Sequence, residues 1–333
     1  MKKFLFIVLL YFLTFTTLII VFCGIIDPFN VMHTDRIRDN GVEPNKNYIK
    51  MTYILNNPQK FDSFIFGSSR VGNIHVENIA GERCYNMTYS MGLPKEHLDN
   101  IKTFLSVGIK PKRIYIGVDS LSYTNDPADH FTSRLWCPYE HLKKDKVTFF
   151  KLYFDPAIVG ESLSKVIQGH VPTEQFVERF YKFGWDSDYN TESVFKLENA
   201  TPNIFPGYRM QETLQEISEI VNVCKANNID LVIFTNPLCS VTYEASIEQD
   251  YLLFLKELAN ITPYYNFSGY NAITTNDKYY LDSSHYTAEA SDFLIECMCN
   301  GKQYNDLYED GFGVYVTEEN VDELIRTLQD QLD

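Results

Sequence analysis

The segment Arg113-Ile114-Tyr115-Ile116-Gly117-Val118-Asp119 is apolar on both faces of any strand it forms. Such a strand must be covered on both sides, which is the position of a central strand in a parallel sheet. Similar short runs recur at Phe61 to Phe66, Arg83 to Met87, Asp230 to Thr235 and Tyr264 to Phe267. Stretches with helical character lie between them. Lys95 to Val107 spaces Leu98, Ile101, Phe104 and Leu105 along one face, with Gly108 at its end. Gln211 to Asn227, Tyr251 to Ala259 and Ala288 to Met298 read as further helices, and Val71 to Ala80 as a short helix or turn. Strands alternating with helices predict βαβ units, hence an α/β fold with a mostly parallel five-stranded sheet over residues 61–300. Residues 126–206 break the rhythm with aromatics, prolines and irregular helices. They read as an insertion, a cap or a lid over one end of the sheet. The tail, residues 301–333, carries Gly311 to Val316 and an amphipathic helix from Glu318 to Leu332.

The N-terminus adds a separate constraint. Lys2 and Lys3 precede Phe4 to Ile26, a run without a charged residue. As a helix it spans about 35 Å, enough to cross a bilayer core. A cleavable signal peptide is the rival reading, but the run ends Phe22-Cys23-Gly24-Ile25-Ile26-Asp27-Pro28 without an Ala-x-Ala signature. An uncleaved anchor over residues 1–26 is therefore expected, with residues 27–60 as linker and lead-in helix. The lysines precede the span and the next basic residue is Arg36, so the tail should stay cytoplasmic and Asp27 onward should lie outside.

Charge narrows the partners. The chain has 29 Lys+Arg against 44 Asp+Glu, a net charge of −15, and two of its lysines precede the span. An acidic exterior disfavours nucleic acid and anionic lipid, though most of the charge serves solubility. Six cysteines lie beyond the span (Cys84, Cys137, Cys224, Cys239, Cys297 and Cys299) without metal-type spacing, and mostly buried free thiols are expected. His33, His75, His97, His130, His141 and His170 show no ligand spacing either and read as surface or structural. No Gly-Lys-Ser/Thr loop or Gly-x-Gly-x-x-Gly fingerprint is present, so neither a metal nor a nucleotide cofactor is expected.

Two motifs carry the chemistry. Gly67-Ser68-Ser69-Arg70 follows the first strand, and Asp282-Ser283-Ser284-His285 precedes the last helix of the α/β pattern. Serine is a poor nucleophile until a histidine takes its proton, and that histidine needs a carboxylate to fix its tautomer. In open parallel sheets ligands bind beyond the carboxyl ends of the strands. Five segments reach that rim: Gly67 to Ser69, the Gly92 loop, Asp119-Ser120, Asn236-Pro237, and Asp282 to His285. Taken alone, a Gly-Ser-Ser triplet is an ordinary turn, and His285 could simply cap or pack. Ser68 is the alternative nucleophile. Arg70 is a candidate for an anionic substrate group or for a surface ion pair, and Asp119 for substrate binding.

The pattern resembles the SGNH (GDSL-like) hydrolase superfamily, particularly membrane-anchored members similar to DltD and to the alginate O-acetylation proteins. Gly67-Ser68-Ser69 matches the Gly-Asp-Ser block, Asn86 to Gly92 the block with the oxyanion glycine, and Asp282-x-x-His285 the terminal block. The resemblance covers roughly Phe61 to Met298. It implies a three-layer, flavodoxin-like α/β/α sandwich with Ser69 as nucleophile, His285 as general base and Asp282 as its orienting acid. Backbone amides of Ser69 and Gly92 would bind the oxyanion, each worth about 2.7–4 kcal/mol in the transition state. Ser68 departs from the usual Asp, and no Gly-x-Asn-Asp block is present; Asn236 substitutes by position only. Val71 stands where the α/β-hydrolase elbow would place its second glycine.

Two functions follow as expectations. One is an anchored serine esterase or O-acyltransferase acting on an acylated cell-envelope or exported polysaccharide. The other is a catalytically weak or inactive relative that binds polysaccharide or a membrane-bound acyltransferase. The aromatics of the insertion suit sugar stacking and ordinary lid packing alike.

Overall fold

The computed structural model describes residues 1–169, 174–184 and 195–332. His170 and part of the expected insertion lie outside the described residues. Ser63–Phe66 (β1), Cys84–Asn86 (β2), Arg113–Val118 (β3), Asp230–Thr235 (β4), Tyr264–Asn266 (β5) and Val314–Val316 (β6) form one sheet in the order β2-β1-β3-β4-β5-β6. Neighbours are parallel from β2 to β5, and β6 runs antiparallel to β5. The fold is α/β, but its mixed sheet has six strands where five were expected. The sixth is a three-residue edge strand in the tail, with Tyr315 half exposed, outside the strand–helix alternation.

The both-faces-apolar reading of the strands has a direct packing counterpart. Phe64, Phe66, Ile114, Ile116, Val118 and Ile233 enter one apolar cluster. The alternate residues Ile65, Tyr115 and Phe234 enter another. Strand side chains alternate across the sheet, so each face has its own core. Pro94–Ser106 (α3) packs against Met210–Ala226 (α9), and α9 also touches β4 and Tyr251–Ala259 (α11). The second cluster takes Leu294 and Ile295 from Ala288–Asn300 (α12). Caps fix the ends of α12: Thr287 Oγ1 accepts from Ala290 N–H at 3.3 Å, and Gly301 closes it with φ 64°.

Three boundaries change. Residues 27–45 are no linker: Phe29, Val31, Ile37 and Val42 are buried, because Asp27 accepts backbone N–H bonds from Val31, Met32 and His33 and folds the segment back. The tail after residue 300 belongs to the domain, since β6 extends the sheet and Val321–Asp330 (α14) packs on α11. The insertion holds regular helices, among them Tyr139–Lys144 (α5), Lys146–Phe154 (α6), Pro156–Gln168 (α7) and Glu174–Lys182 (α8). Phe183, just after α8, accepts from Asn86 N–H at 2.7 Å and covers the open edge of β2. Lys2–Ile26 (α1) is one helix, long and apolar enough to cross a membrane.

Candidate active site

The nucleophile turn forms where β1 leaves the sheet. Ser69 opens a 3-10 helix, Ser69–Asn73, and the preceding Ser68 caps it, its Oγ accepting from Arg70 N–H at 3.4 Å. Gly67 must lack a side chain here, because a Cβ would lie 2.7 Å from Val71 Cγ1. The same methyl would lie 2.5 Å from a Cβ on Gly117 of β3. Val71 thus fills space that two glycines leave open, which explains a valine at the elbow position. Block Asn86 to Gly92 braces the turn: Asn86 Nδ2 donates to Val71 O at 2.8 Å and Thr88 Oγ1 to Ser68 O at 2.8 Å.

The second motif sits at the tip of a tight hairpin. Leu281 N–H donates to His285 O at 2.9 Å and Thr287 N–H to Tyr279 O at 2.8 Å, around a Tyr280–Tyr286 bridge. Both tyrosines are fully buried, and their hydroxyls anchor the hairpin to the end of β4, on Pro237 O (2.9 Å) and Asn236 Oδ1 (3.3 Å). Asn73 Nδ2 donates to Tyr286 O at 2.7 Å, tying the hairpin to the nucleophile helix.

These supports bring the three side chains together. Ser69 Oγ lies 2.9 Å from His285 Nε2. His285 Nδ1 lies 2.8 Å from Asp282 Oδ2 and 3.0 Å from Oδ1. The Ser284 and His285 backbone N–H groups also donate to Asp282 Oδ1, at 2.7 and 2.8 Å. Burial opposes ionisation of Asp282, but the His285 ring and the two N–H bonds outweigh it and hold the carboxyl below its usual range. No protein-family model matches the chain, and no curated protein is found similar to it. The geometry therefore stands on this chain's own residues. With one carboxylate oriented on Nδ1 and Nε2 facing a hydroxyl, the arrangement can deprotonate serine for attack on a carbonyl.

Other expected residues take different places. Arg70 is no surface residue: it is fully buried and its guanidinium joins three segments. It pairs with Asp119 at the end of β3, donates through Nη2 to Asn203 O (3.1 Å) and Oδ1 (3.2 Å), and through Nε to Ser284 Oγ (3.3 Å). Asp119 is equally buried, so both residues brace the site rather than greet a substrate. Asn236 is buried at the expected rim, and its amide donates one hydrogen bond to Asp119 Oδ2 at 2.7 Å. Gly92 is buried, and its N–H donates to Tyr89 O at 3.3 Å. Met91 beside it has φ 61°, a left-handed conformation that costs a non-glycine residue energy. Asn203, Asn73 and Ser284 escaped the sequence reading. Only Ser284, inside the second motif, carried a signal. Among the described residues no group of three or more His, Cys, Asp or Glu could hold a metal. The seven cysteines are free thiols, six of them buried.

A buried cluster backs the Gly92 loop. Glu96 accepts from Leu93 N–H (3.3 Å) and Tyr89 OH (2.9 Å) and contacts His130 Nδ1 at 2.6 Å, while His97 Nδ1 lies 3.2 Å from Tyr89 OH. Burial pushes His97 down to about 3. The unfolded chain protonates this ring near pH 6.5, the native one only near 3, so the native state loses about 1.4 kcal/mol per pH unit between them. Replacing His97 with Asn should flatten urea-measured stability between pH 6.5 and 4 relative to the parent. An unchanged slope contradicts this.

Proposed function

We propose that this chain is a membrane-anchored serine esterase or O-acyltransferase of the SGNH type, with its domain on the extracytoplasmic side, acting on an acylated cell-envelope or exported polysaccharide. The 2.9 Å contact between Ser69 Oγ and His285 Nε2, with Asp282 on the other ring nitrogen, is the observation that carries the reading. The sheet order and the two apolar clusters fit the three-layer α/β/α architecture of that superfamily.

In the proposed reaction His285 Nε2 takes the Ser69 proton as Oγ attacks the ester carbonyl. The tetrahedral oxyanion is held by Ser69 N–H and by Gly92 N–H, once the latter leaves its 3.3 Å bond to Tyr89 O. Collapse expels the alcohol, which takes the proton from His285, and leaves acyl-Ser69. Water then releases the acid, or a sugar hydroxyl takes the acyl group, with His285 as base again. The choice between them rests on water exclusion. The engaged Asn236 amide favours a second reading, a slow or inactive relative that binds glycan or a membrane acyltransferase.

A fluorophosphonate separates the two readings. The full chain in detergent should become covalently labelled under conditions that label a control esterase; no labelling contradicts the enzyme. Turnover of p-nitrophenyl acetate that rises with an acceptor glycan, together with acylated sugar, identifies a transferase.

A further inference from the structure

The insertion meets the apolar helix. The covered face of α1 runs through Thr16, Ile19, Phe22, Cys23 and Ile26, with Cys23 buried. Its partners are α6 and α7, and Cys23 Sγ donates to Tyr153 O of α6 at 3.5 Å. From Thr16 to Ile26 is about 15 Å of helix, roughly half the ~30 Å hydrocarbon core that a spanning α1 would cross. If α1 spans the bilayer, two helices packed against its C-terminal part, one of them bonded to Cys23, lie at the membrane surface or within it.

Their outward surfaces agree. On α6, Val147 and Phe150 are 65% and 55% exposed, and the half-buried Phe154 continues the same i, i+3, i+7 stripe, its ring 5.1 Å from that of Phe150. On α7, Leu163 and Ile167 stand out, Ile167 74% exposed. On α1 itself Ile25 is 67% exposed. Lys146 and Lys151 are exposed on α6, and the Glu161–Lys165 pair on α7 occupies a different side from Leu163 and Ile167. Long cationic side chains can lay their stems on apolar surface and reach lipid phosphates.

We propose that α6 and α7 form a membrane-embedded foot, entering the outer part of the bilayer beside α1 with Val147, Phe150, Leu163 and Ile167 against lipid. The expected lid is then a platform at this point, and the exposed Phe150, with Phe154 beside it, serves lipid rather than sugar rings. The buried end of α1 becomes part of the fold, as an uncleaved anchor requires. The inference rests on α1 spanning the membrane and is independent of the serine chemistry.

Nitroxide depth measurement tests it in the full chain in phosphatidylcholine liposomes, with Cys299→Ser to remove the partly exposed thiol. Labels go on Phe150→Cys and Ile167→Cys, with Leu10→Cys in α1 and Glu198→Cys as references. Relaxation by oxygen over a water-soluble nickel complex should be several-fold higher at positions 150 and 167 than at 198, as at 10. A water-like value at either position, with a lipid-like value at 10, overturns the foot. A water-like value at 10 overturns the anchor, and the foot with it.

Discussion

Changing Ser69 to alanine should lower ester turnover by about 10⁴–10⁶-fold, leaving only what oriented binding and the oxyanion donors supply. His285→Ala should cost a similar factor, because in the proposed mechanism the imidazole 2.9 Å from Ser69 Oγ makes that oxygen nucleophilic. The double variant should lose little more than either single one, since the two groups act as a unit. Stopped-flow release of p-nitrophenol reads all three. The stability cost should be small: Ser69 is only part-buried, and its turn is capped by Ser68 rather than by its own hydroxyl. A Ser69→Ala protein that keeps its burst phase would exclude Ser69 as nucleophile.

The second large effect concerns Arg70. Arg70→Met keeps an unbranched apolar stem but strands the buried Asp119 carboxylate without its countercharge. Breaking a buried pair in this way costs about 3–5 kcal/mol, read as a lower urea midpoint at unchanged slope. Arg70→Lys should fall between, because an ammonium is a single point charge and cannot serve Asp119, Asn203 and Ser284 together. Arg70→Met combined with Asp119→Leu should recover much of the stability, as apolar replacements of buried pairs often do. It should not recover turnover. Ser284 precedes His285 at the hairpin tip, and its hydroxyl loses the Arg70 Nε donor in every one of these variants, lysine included, since a methylene replaces that nitrogen. The loss should appear in kcat more than in KM, since no substrate contact is removed. A double variant restored in both stability and kcat would show that Arg70 only holds the fold.

The parts of the fold written in long apolar patterns were legible in the sequence. β4, α9 and α11 fall within one residue of where their patterns place them, because burial on both faces of a strand, or on one stripe of a helix, leaves a repeated mark. β6 was not read as a strand, because it runs antiparallel to β5 and lies in the tail, outside the strand–helix alternation that marked the other five. Residues 27–45 looked like a linker because they hold no helix or strand, and their buried side chains, Phe29, Val31, Ile37 and Val42, follow no regular spacing. The site divides in the same way. Ser69, Asp282 and His285 were legible as residue types at turn positions. Arg70 was misread because nothing local to it announces Asp119, 49 positions on, or Asn203, 133 positions on. The long-range tie from Asn73 to Tyr286 was silent for the same reason. Asn236 occupies the expected rim, but only the packed structure reveals that Asp119 holds its amide.

In the proposed mechanism His285 makes one serine of this chain nucleophilic. Labelling the full chain with a fluorophosphonate, digesting it and locating the adduct by mass spectrometry shows which. The adduct should fall on Ser69 and disappear in His285→Ala. An adduct on Ser68, Ser283 or Ser284, or none where a control esterase is fully labelled, would contradict the account.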